Sequence, residues 1–290
     1  MAELLQIKNI KNCKEMKMIR YILLTLGLTI ALNLNGQDLI ILHTNDTHSQ
    51  IEPFSSGIHN GLAGVERREK FINSIREANP NKVIYLDAGD FSQGTPYFSL
   101  FKGDAEIEIM NTLKVDAACL GNHEFDNGVD EIARRAKNAS FPILCANYNF
   151  GKTALGNLIK PYTIIERNGK KVGVIGLCTN LTGLISPKTL NGIKFRHPYK
   201  IVNKYAKELK RKGCDLIILL THCGYDDGNQ QNPTDMLIAA NSEGVDIIVG
   251  GHSHTFLEKE SVVTNKAGKK VVVVQAGEKG CEVGRLDIWF

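Results

Sequence analysis

Short β-branched apolar runs alternating with longer amphipathic stretches constrain this chain more than any other feature, because only a strand-and-helix layering buries both. Strand patterns at 39–43, 82–87, 117–120, 142–145, 162–166, 171–177, 215–221, 246–249, 270–275 and 283–289 are interleaved with helical patterns at 65–78, 104–113, 129–138, 201–212 and 234–240. Such alternation predicts an α/β architecture. One pair departs from it: 162–166 and 171–177 flank Arg167-Asn168-Gly169-Lys170, whose central Asn-Gly favours a two-residue type I′ hairpin turn. An antiparallel pair in a βα sequence predicts mixed β-sheets, packed as a sandwich flanked by helices. Residues 269–290 read as two last strands joined by a short Gly-containing turn. No repeat, low-complexity tract or linker follows Gln37, so 37–290 is expected to form one catalytic domain.

Composition narrows the class. With 43% hydrophobic and 23% charged residues and 8 Pro, the chain is neither collagen-like, disordered nor a disulfide knot. Much of the net charge of +4 comes from Lys8, Lys11, Lys14, Lys17 and Arg20, so the rest is nearly neutral and no nucleic acid polymer is expected as a partner. Lys14, Lys17 and Arg20 precede about twelve uncharged, mostly apolar residues from Tyr21 to Leu32, followed by Asn33-Leu-Asn-Gly36. That is the charged, apolar and small-residue order of an export signal, too short for a comfortable membrane span. Residues 1–36 are therefore expected to direct export to the periplasm or the extracellular space. The alternative is an uncleaved signal anchor, which would be the only membrane attachment. The seven cysteines lack CxxC spacing, and buried free thiols are the expectation.

The polar residues collect where the apolar runs stop. His43-Thr-Asn-Asp46-Thr-His48 follows the first; Asp87-Ala-Gly-Asp90-Phe-Ser-Gln-Gly94 follows the second; Gly121-Asn122-His123-Glu-Phe-Asp126 the third. Thr221-His222-Cys-Gly224 and Gly250-Gly-His252-Ser-His254 close two later runs. In open α/β sheets ligands bind beyond the carboxyl ends of strands, so these five loops are the place to look. Taken singly, Asp46 could cap a turn, His48 could be a surface group and Asn122 a left-handed turn residue. Five of the eight histidines falling in such loops changes the reading. Carboxylate and imidazole together suit divalent first-row ions, and a carboxylate can bridge two of them. His43 is expected in the core, His59 and His197 in solvent, and Cys223 as packing.

The ordered blocks Asn-Asp-Thr-His (45–48), Gly-Asp-x-x-Gln-Gly-Thr-Pro (89–96), Gly-Asn-His-Glu-Phe-Asp (121–126), Thr-His-x-Gly (221–224) and Gly-His-Ser-His (251–254) resemble the calcineurin-like metallophosphoesterases. Gln93-Gly94 and Phe125-Asp126 narrow the resemblance to the secreted 5′-nucleotidase and 2′,3′-cyclic-nucleotide phosphodiesterase branch. The resemblance implies two divalent ions (Zn, Mn or Fe): one on Asp46, His48 and His254, the other on Asn122, His222 and His252, with Asp90 bridging. It implies that His123 is catalytic with Asp126 orienting it, and that Asn122 and Asn147 lie near the phosphate. The reaction implied is hydrolysis of nucleotide phosphate esters by direct attack of a metal-bound hydroxide. Cleavage of a 2′,3′-cyclic diester, a nucleotide-sugar pyrophosphate or a sulfur ester stays open. The branch carries a nucleotide-binding carboxy-terminal domain that is not expected in this chain. A fragment, a separate substrate-binding chain as partner, or an enzyme that recognises little beyond the phosphate would each account for that, and with such a partner the alternative function is a metal-bound subunit active only in its presence.

Overall fold

The computed structural model describes residues 36–151, 153–226 and 232–290. The leader expected within 1–36 lies outside them but for its last residue. The apolar runs form thirteen strands: β1 (Leu39–Thr44), β2 (Val83–Asp87), β3 (Ala117–Cys119), β4 (Ile143–Leu144), β5 (Tyr148–Asn149), β6 (Tyr162–Arg167), β7 (Lys170–Cys178), β8 (Lys194–Phe195), β9 (Leu216–His222), β10 (Ile247–Val249), β11 (Ser261–Thr264), β12 (Lys270–Val274) and β13 (Gly284–Ile288). The amphipathic stretches form α1 (Val65–Ala78), α2 (Pro96–Phe101), α3 (Asp104–Thr112), α4 (Val129–Asn138), α5 (Pro198–Arg211) and α6 (Asp235–Asn241).

Two mixed sheets face each other. The first has the order β13-β1-β2-β3-β4 and the second β11-β12-β10-β9-β7-β6, while β5 and β8 make a two-stranded ribbon. Every pairing along β1-β2-β3-β4 and along β7-β9-β10-β12 is parallel. Antiparallel strands occupy three of the four edges of these sheets: β13 against β1, β11 against β12 and β6 against β7. The β6–β7 turn has φ 48° at Asn168 and 72° at Gly169, as the Asn-Gly pair predicts.

Period-two alternation sorts each strand between two cores. Leu39 and Ile41 of β1, Ile84 and Leu86 of β2, Ile218 and Leu220 of β9 and Ile247 and Val249 of β10 meet between the sheets. The alternate residues Ile40, Leu42, Val83 and Tyr85 pack outward on Ile72, Ile107, Met110 and Ile132 of the helices beside the first sheet. Ile217, Leu219 and Ile248 pack outward on Val202, Ala206, Leu209 and Ile238 beside the second. Strands covered on both faces explain the unbroken apolar runs of the parallel positions.

One expectation needs correcting. The last two strands are not a hairpin: β12 lies parallel to β10, the chain then runs through 275–283, and β13 crosses to the other sheet to pair antiparallel with β1, Leu39 opposite Ile288. Four short elements, α2, β5, β8 and β11, carry too little periodicity to be read from sequence. Cys119, Cys145, Cys178, Cys214 and Cys223 are buried free thiols, as expected, and Cys281 is half-buried. Among the described residues no helix is long and apolar enough to cross a membrane.

Ile218 fills the centre of the layer between the sheets. Ile218→Ala is expected to cost about 3 kcal/mol and to lower Tm by roughly 6–12 °C in a domain of this size, measured by thermal unfolding followed by circular dichroism.

Candidate metal centre

β1, β2 and β3 run parallel in one sheet and β9, β10 and β12 in the other, and the loops after their carboxyl ends meet across the sandwich, where His252 N–H donates to Asp46 Oδ2 at 2.9 Å. Backbone bonds then tie the loops together. Asp46 N–H donates to Gly89 C=O over 2.9 Å, His48 N–H to Asp90 C=O over 2.9 Å and Gly224 N–H to Gly251 C=O over 3.1 Å. Asn45 acts as a spacer between the sheets. Its amide donates to Asp46 Oδ2 at 2.7 Å and to Gly277 C=O at 2.6 Å, and accepts from Ala276 N–H at 2.8 Å.

Six of the seven residues proposed from sequence as metal ligands, Asp46, His48, Asp90, His222, His252 and His254, are grouped at this junction, and Asn122 follows Gly121, which packs directly on Asp90. The potential ligand atoms of Asp46, His48 and His254 lie within 4.8 Å of one another, and so do those of Asp90, His222 and His252. Asp90 belongs also to a group with His48 and His123, so it stands between the two sets. His222 Nε2 is 2.9 Å from Asp90 Oδ2 and 3.7 Å from Asp46 Oδ1, and His254 Nε2 is 3.3 Å from Asp46 Oδ1. Asp46 Oδ1, Asn122 Oδ1 and His222 Nε2 are buried without a properly angled hydrogen bond. Buried polar atoms are otherwise almost always bonded, so two such atoms 3.7 Å apart, with a third in the adjoining loop, fit a cation.

The backbone is bent to bring them there. Asp46, His48, Asp90, His252 and His254 all have positive φ, between 46° and 78°, each at a cost of about 1 kcal/mol. Gly121 can be no other residue, since a Cβ there would overlap Asp90 Oδ1 and the Asp90 backbone.

The electrostatics match the donor chemistry. Burial drops the pKa of His48 and of His252 to about 4, which leaves neutral imidazoles with free lone pairs. Burial also opposes charge on His222, but Asp90 and Asp46 outweigh it and push its pKa up to about 10. The same attraction overcomes the desolvation of Asp90 and Asp46 and lowers both. A divalent ion would take the place of those protons. Tautomers are set from behind: His222 Nδ1 donates to Ala88 C=O at 2.7 Å, and His254 Nδ1 lies 3.1 Å from Glu278 Oε2, so each ring turns Nε2 inward.

His123 sits at the open mouth, its ring 5.3 Å from that of His48. Its Nδ1 is 2.8 Å from Asp126 Oδ2, and that hydrogen bond raises the histidine pKa against the opposing effect of burial. Its backbone N–H donates to Asp90 Oδ1 at 2.8 Å. Asn147 is placed otherwise than expected. It is fully buried, with Nδ2 donating to Cys178 C=O at 2.6 Å and Oδ1 accepting from Cys178 N–H at 3.0 Å, so its amide braces the end of β7 rather than facing a ligand.

Other histidines differ in detail from their sequence reading. His43 is buried in β1 as expected, but its Nδ1 has no partner among the described residues, and burial lowers its pKa to about 4. His59 lies in a loop as expected but is half-buried rather than fully solvated, its ring 6.2 Å from that of Phe256 and 5.6 Å from that of Phe54. His197, by contrast, is exposed as expected, with its ring edge-on to Tyr199.

Sequence reasoning passed over the support of the centre. Glu124, 1% exposed, accepts from Gly121 N–H at 2.7 Å and Asp90 N–H at 3.0 Å through Oε2, and from Ser92 N–H at 3.1 Å through Oε1. One carboxylate thus clamps the β2 loop to the β3 loop. Arg135 on α4, 2% exposed, backs it by donating to Glu124 C=O at 2.7 Å and to Ser92 Oγ at 2.6 Å. Glu278 and Lys279 come from a sixth strand-end loop, Gln275-Ala-Gly-Glu-Lys-Gly280, which the rule applied to the other five would have found.

Comparison with known proteins agrees with this arrangement. Residues 39–256 match the family model described as calcineurin-like phosphoesterase. The chain is 39% identical over 275 residues to a snake venom 5′-nucleotidase of Gloydius brevicauda, covering 87% of this chain and 45% of that protein. It is 37% identical over 292 residues to a 5′-nucleotidase of Homo sapiens, covering 93% and 49%. A solved structure of a 5′-nucleotidase precursor from Thermus thermophilus superposes with TM-score 0.78 at 37% identity, covering 85% of this chain and 50% of that one. The chain therefore spans about half the length of the curated relatives it matches.

Glu124→Ala strips three buried N–H groups of their acceptor. It is expected to lower the affinity for Mn²⁺ by roughly 10–100-fold and to lower Tm. Metal content after dialysis and a thermal melt check both.

Proposed function

The chain belongs to the calcineurin-like phosphoesterase family, and from that membership we propose that it is a divalent-metal-dependent hydrolase of nucleotide phosphate monoesters. The observation that carries the reading is the meeting of Asp46, Asp90, His222 and His254 with neutral His48 and His252, where Asp46 Oδ1 and His222 Nε2 are buried 3.7 Å apart without proper hydrogen bonds. Asp46, His48 and His254 would hold one ion, Asn122, His222 and His252 a second, and Asp90 would touch both. Ions bound there would supply Lewis acidity toward a phosphoryl oxygen and toward the water that attacks phosphorus.

The rest of the chemistry falls to the protein. Water adds to phosphorus as the bond to the ester oxygen breaks, and that oxygen needs a proton. His123 is suited to provide it: it stands at the mouth, and Asp126 keeps its Nδ1 hydrogen-bonded and its imidazolium favoured. Asn122 lies next to it, near the place a phosphoryl oxygen would take. Gly121 and the left-handed turns at Asp90 and His252 let the reacting group approach the ligands closely.

Residues 37–290 would make up the catalytic domain, with 1–36 directing export. The relatives are about twice the length of the matched region, and a part equivalent to their remaining half would read the nucleoside.

The deciding assay offers AMP, 2′,3′-cyclic AMP, UDP-glucose and an aryl phosphate to protein loaded with Mn²⁺ or Zn²⁺. Release of orthophosphate from AMP is expected, and metal-replete protein that hydrolyses none of the four overturns the reading. Asp90→Asn should lose metal and lower turnover more than about 100-fold. His123→Ala should keep its metal and lower kcat by about 10²–10⁴. Because Asp126 raises the His123 pKa, activity that needs the imidazolium persists to higher pH and falls as pH rises through that pKa. Asp126→Asn should move this alkaline limb of the kcat/KM profile to lower pH.

A further inference from the structure

At the edge of the candidate metal centre, Lys279 is a cation to which the described residues supply no bonded counter-ion. It is half-buried, and desolvation lowers its pKa. Among the described residues, Glu278, Asp46 and Asp90 act on its ammonium through their field alone, with no hydrogen bond to it. Glu278, its neighbour in the chain, is committed elsewhere, with Oε2 3.1 Å from His254 Nδ1. The two consecutive residues therefore divide: one steadies a metal ligand, the other carries a free positive charge.

That charge is positioned. Lys279 has φ 57°, and its N–H donates to Asp46 C=O over 2.6 Å, so its backbone is fastened to a ligand-bearing loop. Its side chain reaches back toward His48. A Cβ built on Gly94 would stand 3.0 Å from Nζ and 2.8 Å from His48 C=O, so any residue but glycine there would crowd the cation against the loop. Lys279 also contributes to the lowered pKa of His48, so its charge is felt at the ligand itself. A partly desolvated ammonium with no bonded partner among the described residues lacks an anion.

We propose that Lys279 is a substrate-binding residue, its ammonium donating a charge-assisted hydrogen bond to a non-bridging oxygen of the phosphoryl group and, after hydrolysis, of orthophosphate. The proposal rests on the phosphoesterase reading above. A compact ammonium on a flexible stem suits an oxygen whose position shifts as phosphorus passes from ester to product.

The test uses the full chain loaded with Mn²⁺, with orthophosphate as the probe in titration calorimetry and metal content measured by mass spectrometry. Lys279→Met is expected to retain metal and to bind orthophosphate about 10–100-fold more weakly, the effect of losing a hydrogen bond to a charged group. KM for AMP should rise in parallel, and Lys279→Arg should recover most of the binding. Unchanged orthophosphate affinity in metal-replete Lys279→Met overturns the proposal. So does loss of metal from both variants, which would make the side chain a strut. Orthophosphate binding that depends on Lys279 in a protein that hydrolyses no nucleotide upholds the anion contact and refutes the nucleotidase reading.

Discussion

Two carboxylates, Asp46 and Asp90, are almost wholly withdrawn from water where the ends of the two sheets meet, and the surrounding structure is organised around that fact. Removing even one ionised carboxylate from solvent costs several kcal/mol unless it is compensated. Here the compensation comes from every side: the Asn45 amide and the His252 N–H on Asp46, the His123 N–H and the His222 ring on Asp90. A chain selected for stability alone would fill this junction with apolar side chains, as it does between the sheets with Leu86, Leu220 and Val249. Imidazoles and acids placed there instead describe a site built to share positive charge.

That concentration of charge propagates outward in shells. Left-handed backbone at five ligand positions turns the side chains inward, and the loops hold these turns only because they are bonded to each other. Glu124 grips the loop of Asp90 from beneath, yet it adds another negative charge, and its own pKa is raised by burial and by Asp90. Arg135 offsets this from α4 and is in turn nearly sealed from solvent. Two adjacent acids, Asp90 and Glu124, are thus flanked by His222 at the centre and Arg135 in the helical layer. The same logic leaves Lys279 as the exception, a base whose acid is not supplied by the described residues.

Much of this was legible in the chain. Strand ends are marked by where apolar runs stop, and ligand chemistry is a property of residue type, so Asp46, Asp90, His222 and His252 could be proposed from local pattern. The β6–β7 hairpin was legible for a similar reason, since Asn-Gly has few alternatives to a tight turn. Asn147 misled because an Asn after a strand looks the same whether it faces a ligand or braces a backbone, and its partner, Cys178, is 31 residues away. Glu124 was in plain view inside Gly-Asn-His-Glu-Phe-Asp, but its three acceptor contacts involve two loops and carry no signature of their own. The six residues of α2 and the half-exposed edge strand β11 lack the repeated burial that makes an element readable.

The sequence by itself determined the alternation of strand and helix, the hairpin, and which strand ends bear carboxylate and imidazole, because each is written within a few consecutive residues. Only the tertiary structure decided that loops of one sheet oppose loops of the other, that β13 returns across the whole chain to pair with β1, and that Glu278 and Lys279 arrive at the same junction. Those outcomes depend on how two apolar faces register against each other. That register is a property of packing between distant segments and leaves no periodicity in either segment alone.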